Sequence, residues 1–214
     1  MNREIRLAKK TDSEEILKIY APYIRDTTIS FETEIPTTKE FTSRVEKISS
    51  VYPYLVYLID NKIVGYAYAS KHAERAAYRF GVDLAVYILP EYHGMGVANA
   101  LYCSLFELLK ALGYINAYCC YTIPNEKSRY FHKKFGFKPA GIHHKTGYKF
   151  GKWLDVGWLE KSINEHSKNP SEIISIGELS ETFIKDVLSQ NIGDKKEMVT
   201  RDAKEELVCK CGRI

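Results

Sequence analysis

The sequence predicts a mixed α/β fold, built on one central sheet of about seven strands with helices on both faces. Its apolar segments follow the order β-α-α-β-β-β-α-β-α-β-β. Consecutive strands followed by strand–helix alternation are typical of a mixed sheet covered by helices. The chain has 214 residues, of which 45% are hydrophobic, and this composition favours a folded domain over a disordered chain.

The first part of the chain carries three strand patterns and two helix signals. The pattern Thr11-x-x-Glu14 predicts the start of a first helix, which Pro22 should kink or end. The same pattern from Thr37 to Glu40 predicts the start of a second helix. A turn is expected at Asp60-Asn61, between two strands. The strands of this part are predicted at residues 5–8, 54–59 and 63–70.

The second part contains the clearest helix, over residues 97–112, because its leucines recur on one face and Gly113 supplies a stop. Asn125 is the expected cap of a further helix that reaches Phe135. The remaining strands are predicted at residues 78–88, 115–122, 142–148 and 152–159.

The composition changes after Lys161, since Phe183 is the one aromatic residue beyond that point. We therefore expect a first domain over residues 1–161, followed by a polar linker and extension of unknown role over residues 162–214. Leu179, Phe183 and Val187 recur at helical spacing in the extension. Such a helix could pack on the domain, join two subunits or be partly disordered, and the sequence does not choose among these.

The cysteines fit a reducing compartment, and we expect buried free thiols at Cys103, Cys119 and Cys120. Cys209 and Cys211 alone cannot complete a tetrahedral zinc site, so no metal is expected. The sequence shows neither a signal peptide nor an apolar run long enough to span a membrane, which favours the cytoplasm. A net charge of +4 without basic–aromatic clusters argues against nucleic acid as a partner.

A glycine-bearing loop opens the clearest helix and predicts an anion site. The segment VYILPEYHGMGVANALY, residues 86–102, runs from an apolar strand through Gly94, Gly96 and Ala98 into that helix. Unpaired N–H groups and the dipole of a helix start attract phosphate, and small residues let it approach. Ordinary turn chemistry is an equally good explanation of the loop taken alone. The pattern matches neither a Rossmann fingerprint nor a P-loop.

The loop resembles the Gln/Arg-x-x-Gly-x-Gly/Ala motif of the GCN5-related N-acetyltransferase (GNAT) family, with His93 in place of Gln/Arg. Further segments in the family's order extend the resemblance over residues 3–160. They are most similar to the phosphinothricin/methionine sulfoximine acetyltransferase subgroup. The segments that support the subgroup are residues 28–34 (TISFETE), 52–57 (YPYLVY), 65–69 (GYAYA), 74–79 (ERAAYR), 86–102 and 146–158 (TGYKFGKWLDVGW). Residues 125–137 (NEKSRYFHKKFGF) resemble the family's second cofactor helix and the turn after it.

The resemblance implies the GNAT acyl-CoA N-acyltransferase fold, acetyl-CoA as co-substrate, no metal, and an amino-acid-like amine as acceptor. It also implies a homodimer. Cofactor contacts are expected from strand backbone, from the loop and from the following helix. The implied residues are Val86, Tyr87, Ile88, His93, Gly94, Met95, Gly96, Val97, Ala98, Asn125 and Ser128.

Acetyl transfer needs a group that takes a proton from the acceptor amine, and Asp83 is the candidate. A carboxylate among Val82, Leu84 and Ala85 is costly to bury unless it is paired or used. The subgroup usually has Glu here as general base, so the shorter Asp could act through a bridging water. The alternative is an Asp that merely hydrogen-bonds a neighbouring loop.

The second catalytic candidate is His132, which stands where the subgroup also has His and the wider family often has a Tyr that protonates the leaving thiolate. A packing histidine is the alternative. For the acceptor, the resemblance implies Arg75 for an anionic group, Phe31 and Tyr78 as pocket aromatics, and Lys149 as a further contributor. Trp153 is expected in the core.

The sequence thus predicts transfer of acetyl from acetyl-CoA to a small amino-acid-like amine. Three alternatives stay open, one of which is an interaction protein whose C-terminal extension carries the specificity. The acceptor could be another amine, such as a protein N-terminus, a polyamine or an aminoglycoside. The chain could also be a non-catalytic module that senses acyl-CoA, although the presence of both Asp83 and His132 argues against this.

Overall fold

A computed structural model describes residues 1–192 and has the predicted mixed sheet of seven strands. The spatial order is β1-β2-β3-β4-β5-β7-β6, and only the β4–β5 pair is parallel. The strands are β1 (Arg3–Leu7), β2 (Tyr54–Ile59), β3 (Lys62–Lys71), β4 (Gly81–Ile88), β5 (Asn116–Ile123), β6 (Lys138–Lys149) and β7 (Lys152–Ser162).

Helices cover both faces of the sheet, as the sequence predicts. One hydrophobic core lies between the sheet and the first two helices, and a larger one lies on the side of α3 and α5. The helices are α1 (Ser13–Asp26), α2 (Thr38–Ser49), α3 (Val97–Ala111), α4 (Glu126–Lys134) and α5 (Glu181–Gln190).

Two predictions about α1 are wrong. Thr11 does not cap the helix; instead Asp12 precedes it, accepts from the backbone N–H of Lys9 at 2.7 Å and pairs with Arg6. Pro22 does not end the helix, which continues to Asp26. The proline sits in the last turns, and burial of Ile24 on the same helix stabilises the turn that follows.

Other local predictions are confirmed. Thr37 and Glu40 form a reciprocal capping box at the start of α2. Asp60 and Asn61 adopt φ of 48° and 66°, as a tight turn between twisted strands requires. Gly113 has φ of 90° and ends α3. The predicted apolar face of α3 is entirely buried: Val97, Leu101, Leu105, Leu108, Leu109 and Leu112.

The extension beyond residue 162 packs on the sheet domain as far as the structure describes it. Helix α5 contacts β1 and α3, and it buries Ile184, Val187 and Leu188 in the larger core. The observed helix, Glu181–Gln190, is therefore shorter than the predicted range of residues 173–191. Phe183 is 39% exposed because it faces away from the core. Cys209 and Cys211 lie outside the described residues.

Burial differs from expectation at several other positions. Trp153 is 61% exposed, so its assignment to the core is wrong. It lies near the tip of the β6–β7 hairpin, beside the exposed Tyr148 and Phe150. Cys119 is buried as expected, whereas Cys103 is half-buried and Cys120 is exposed. The strand predicted from Tyr78 begins at Gly81, after a 3-10 turn over Ala76–Tyr78.

Candidate active site

Strands β4 and β5 separate within the sheet and leave a wedge-shaped opening. Their parallel pairing joins three positions, the last of which is Asp83 opposite Tyr118, although β4 continues to Ile88 and β5 to Ile123. On its other side β4 pairs with β3 from Val82 to Ile88. The opening therefore starts at Asp83 and widens toward the carboxyl ends of both strands.

The opening exposes backbone hydrogen-bonding groups of β4. The N–H of Leu89 donates to the carbonyl of Val64 on β3. Because backbone groups alternate sides along a strand, those of Leu84, Val86 and Ile88 point toward β5. Of the three predicted backbone contacts, Val86 and Ile88 thus face the opening, while Tyr87 directs its backbone groups to β3. An extended ligand arm could pair with this edge like an added strand.

The loop after β4 leads into the start of α3 at the wide end of the opening. Gly94 and Gly96 both have φ of 80°, a conformation that side chains with a Cβ rarely adopt. Gly96 is the N-cap of α3, and no side chain caps the helix. The first helical hydrogen bond is donated by Ala100 to Gly96, which leaves the N–H groups of Val97 and Ala98 available. This geometry suits a pyrophosphate.

His93 turns back from this loop toward the strand end. Its Nε2 lies 3.1 Å from the carbonyl oxygen of Ile88, and Tyr23 on α1 also donates to this carbonyl through its hydroxyl. The two side chains therefore hold the last carbonyl on the open edge of β4. Tyr23 was missed from the sequence, since nothing in the apolar pattern of α1 distinguishes it from a core tyrosine. Met95, also predicted as a contact, packs partly against the larger core.

At the narrow end of the opening, Asp83 is paired with His72, which the sequence analysis also missed. Nδ1 of His72 lies 2.6 Å from Oδ1 of Asp83. Burial raises the pKa of Asp83, and the hydrogen bond from His72 offsets only part of this effect. The side chain of Asp83 is 35% exposed, so it remains accessible from the opening.

Aromatic rings enclose the imidazole of His72. It stacks on Tyr118 with ring centroids 4.0 Å apart and planes inclined by 19°. Tyr78 and Trp158 approach it edge-on, at 6.2 Å and 6.4 Å. Since Tyr118 is the partner of Asp83 at the last joined position, His72 bridges the apex between the two strands.

Arg75 and Tyr78 share the β3–β4 connection with His72. Arg75 is exposed and precedes the 3-10 turn that contains Tyr78, whose side chain is 51% exposed. The structure therefore brings two predicted acceptor residues to the connection that also carries the partner of Asp83.

The loop between α1 and α2 crosses the opening from the side of β4 to that of β6. Thr122 on β5 donates to the carbonyl of Thr28, and the ring of Phe31 lies directly on Gly147 of β6. Lys149 donates from Nζ to the carbonyls of Ile24 and Ser30, at 2.7 Å each. Lys149 is 5% exposed and fastens this loop, and its burial lowers its pKa. Its predicted contact with the substrate stays a prediction.

His132 lies in the aromatic part of the larger core and is 6% exposed. Nδ1 donates to the carbonyl of Ser128 at 2.8 Å, so Nε2 accepts from the hydroxyl of Tyr102 at 3.1 Å. Burial lowers its pKa, which favours the neutral ring. Asn125 caps α4 by accepting from the N–H of Ser128. These contacts favour packing and capping roles for the three residues, and their predicted roles in catalysis and cofactor binding stay predictions.

Comparison with known proteins decides the family. The family described as Acetyltransferase (GNAT) domain matches residues 5–158. The chain belongs to the GNAT acetyltransferase family. The predicted fold class is confirmed, because solved structures of GNAT acetyltransferases share this architecture.

Individual relatives agree with this assignment. A GNAT phosphinothricin acetyltransferase from Sinorhizobium meliloti, solved in complex with AcCoA, is 31% identical, with a TM-score of 0.77 over 84% of this chain and 98% of that one. A phosphinothricin N-acetyltransferase of Streptomyces coelicolor is 32% identical over 75% of this chain and 96% of its own length. An L-methionine sulfoximine/L-methionine sulfone acetyltransferase of Salmonella typhimurium is 26% identical over 76% and 96%.

This GNAT chain is an acetyl-CoA-dependent N-acetyltransferase. In residues 1–192, no group of three or more His, Cys, Asp or Glu side chains is arranged to hold a metal ion. None of the helices in that range is both long and apolar enough to cross a membrane.

Proposed function

We propose that this GNAT enzyme acetylates the α-amine of a small amino acid whose side chain ends in an anionic or strongly polar group, of the phosphinothricin or methionine sulfoximine type. The observation that carries the proposal is the opening between β4 and β5, which has an anion site at its wide end and Asp83 with His72 at its apex. The names of the relatives support the acceptor class.

The cofactor would enter with its pyrophosphate at the loop and its arm along β4. N–H groups of Val97 and Ala98 are available for the phosphates, and the open edge at Val86 is available for the amides of the arm. An arm anchored at the loop and running back along β4 brings its thioester to the apex. The reacting carbonyl then lies within reach of the Asp83–His72 pair.

The acceptor arrives as an ammonium and must lose a proton before it can attack. Asp83 would provide the basic group, since its raised pKa reflects a carboxylate that burial makes a better proton acceptor. The amine nitrogen then forms a bond with the thioester carbon. An N–H on the open edge of β4 could donate to the resulting oxyanion, and the intermediate collapses by breaking the C–S bond.

Two loops flank the apex and would hold the acceptor. Arg75 is exposed on the β3–β4 connection, and its guanidinium suits a carboxylate or phosphinate. Phe31 and Tyr78 are each more than one-third exposed, which suits contact with the acceptor's apolar stem. Lys149 would act indirectly, by fixing the loop that carries Phe31.

We further propose a homodimer located in the cytoplasm. Strand β6 is an edge strand with a largely exposed surface, and the neighbouring hairpin tip exposes Tyr148, Phe150 and Trp153. An uncovered edge and exposed aromatics favour association with a second copy. The described cysteines Cys119 and Cys120 are free thiols, in keeping with a reducing compartment. Sedimentation velocity at several protein concentrations tests the dimer.

The test of the function is coenzyme A release, measured with a thiol reagent for a panel of acceptors. The panel contains phosphinothricin, methionine sulfoximine, methionine sulfone, a polyamine and a peptide with a free N-terminus. We expect turnover on the first three and its loss in Asp83→Asn. Turnover confined to the polyamine or the peptide would refute the acceptor class. Binding of acetyl-CoA without turnover on any acceptor would favour the sensing module.

A further inference from the structure

Asp83 is shorter by one methylene than the glutamate expected at this position, and His72 occupies the space in front of it. We propose that His72 is the catalytic residue that takes the proton from the acceptor amine, while Asp83 holds the imidazole and stabilises its charged form. This inference rests on the proposed acetyl transfer and assigns the proton step to a different side chain.

The hydrogen bond defines which ring nitrogen is free to act. A carboxylate can only accept, so Nδ1 of His72 carries the hydrogen in the 2.6 Å contact with Asp83. In the neutral ring Nε2 then holds the lone pair. Within residues 1–192, no group of the chain forms a hydrogen bond with this Nε2. An oriented imidazole backed by a carboxylate is an established arrangement for a general base.

The ring is held at the right place for this role. Stacking on Tyr118 sets its plane, and Tyr118 lies opposite Asp83 where β4 and β5 part. The side chain of His72 is 22% exposed, so the ring is not sealed inside the core. The free Nε2 lies two covalent bonds beyond Nδ1, the atom that contacts Asp83. The imidazole therefore extends the reach of the short aspartate side chain.

The proton and bond changes balance without any further reagent. Nε2 of His72 accepts one proton from the ammonium and later releases it to solvent. The neutral nitrogen bonds to the acetyl carbon, and the C–S bond breaks. The amine nitrogen of the acceptor loses a second proton when the amide forms, and this proton neutralises the departing thiolate of coenzyme A. The imidazolium formed in the first step is paired with the Asp83 carboxylate throughout.

The other groups around the ring do not compete for this proton near neutrality. Tyr118 from β5 and Tyr78 from the β3–β4 connection face it, and burial raises the pKa of Tyr118 further. Trp158 from β7 is not titratable. The charged neighbours Lys71 and Glu74 on the connection neutralise each other in an ion pair at 2.7 Å.

The experiment compares His72→Asn and His72→Ala with wild type, using kcat/KM for the acceptor over a range of pH. His144→Asn is the matched control, because His144 forms a similar pair with Asp155 at 3.0 Å but is 74% exposed on the hairpin. We expect kcat/KM of both His72 variants to fall about 100-fold or more while circular dichroism shows a retained fold, with loss of the acid limb of the pH profile. Added imidazole should restore part of the His72→Ala activity.

Two results would overturn the proposal. Retained activity and an unchanged acid limb in His72→Asn would return the proton step to Asp83. A loss that imidazole does not rescue, with the wild-type pH profile preserved, would make His72 a positioning residue only. The nitrogen chemical shifts of His72, measured by NMR in the free enzyme, give a test that does not depend on turnover. A neutral ring that carries its hydrogen on Nε2 would contradict the proposal. Failure of wild type on every amine would instead count against the proposed function.

Discussion

Replacing Gly147 with alanine tests whether Phe31 shapes the acceptor pocket. A Cβ at Gly147 would lie 2.0 Å from Cε2 of Phe31 and 2.6 Å from both Cδ2 and Cζ. Since carbon atoms in contact stay about 3.5–4.0 Å apart, the ring must retreat by roughly 1.5 Å. Gly147 has no left-handed backbone angle, so the ring is the cause of any effect.

The cost follows from the burial that the ring gives up. Phe31 is 37% exposed, so it would lose about two-thirds of a full side-chain burial if it swung into solvent. Full burial of a phenylalanine contributes about 1.5–3 kcal/mol, so Gly147→Ala should cost about 1–2 kcal/mol. For a chain of this size the melting temperature should fall by about 2–8 °C. The acceptor KM should rise several-fold and the acetyl-CoA KM should not change.

The matched control is Gly141→Ala on the same strand, where an added Cβ meets nothing within 4 Å. It should leave both KM values and the melting temperature close to wild type. A double-mutant cycle with Phe31→Ala isolates the clash, because Gly147→Ala should have almost no effect on the melting temperature once the ring of Phe31 is absent. If Gly147→Ala and Gly141→Ala had equal melting temperatures and equal acceptor KM values, the reasoning would be refuted.

Three further predictions concern the cofactor loop, the apex and α4. Gly96→Ala should raise the acetyl-CoA KM without affecting the acceptor KM. Gly151→Ala is the control, because its φ of 75° is close to the 80° of Gly96. It should show the same backbone strain of about 1–2 kcal/mol but normal cofactor binding by calorimetry. Burial raises the folded-state pKa of Asp83 above its ordinary value, so wild type loses stability as pH rises through that pKa. Asp83→Asn has no such titration, so its melting temperature should gain on that of wild type over this pH range. His132→Gln should lose about 1–3 kcal/mol of unfolding free energy, measured by urea denaturation, because the ring holds two hydrogen bonds. Its kcat should stay within about threefold of wild type. An unchanged stability with a kcat loss of about 100-fold would instead favour a role of His132 in proton transfer.

The sequence predicts the sheet and the helices well where one face of an element is apolar. α3 is the clearest case, because six apolar side chains at helical spacing are all buried. Local rules failed where tertiary contacts outweigh them. Pro22 removes one helical donor, but the turn after it is held by burial of Ile24 and by Lys149, whose amino group donates to the carbonyl of Ile24. No local pattern contains that distant lysine.

His72 was missed because it stands in an irregular connection without periodicity. A signal was nevertheless available from pairing. Ser70 lies opposite Asp83 in the antiparallel β3–β4 ladder, and alternation places His72 on the same face as Ser70. A carboxylate that needs a partner and an imidazole two residues beyond the opposite position form a diagonal pair. That inference requires knowing that the two strands are neighbours, which periodicity alone does not give.

Exposure at the β6–β7 hairpin could not be predicted for a related reason. Trp153 and Tyr148 have the residue types of a core, since both side chains are large and aromatic. Whether an apolar face is covered depends on how the helices are placed on the sheet, which the local sequence does not specify. Large exposed aromatics such as these are therefore found only once the layers are assembled.

The parting of β4 and β5 makes acetyl-CoA a thermodynamic component of the fold. Two halves of one sheet meet over three residue pairs, and beyond that point the hydrogen bonds of β4 on that side can be completed by a metabolite. A ligand present at about 100 times its dissociation constant adds about 2.7 kcal/mol to the stability of the state that binds it. The resistance of this enzyme to unfolding and proteolysis should thus rise and fall with the cellular supply of acetyl groups, so that the protein persists longest when its co-substrate is abundant.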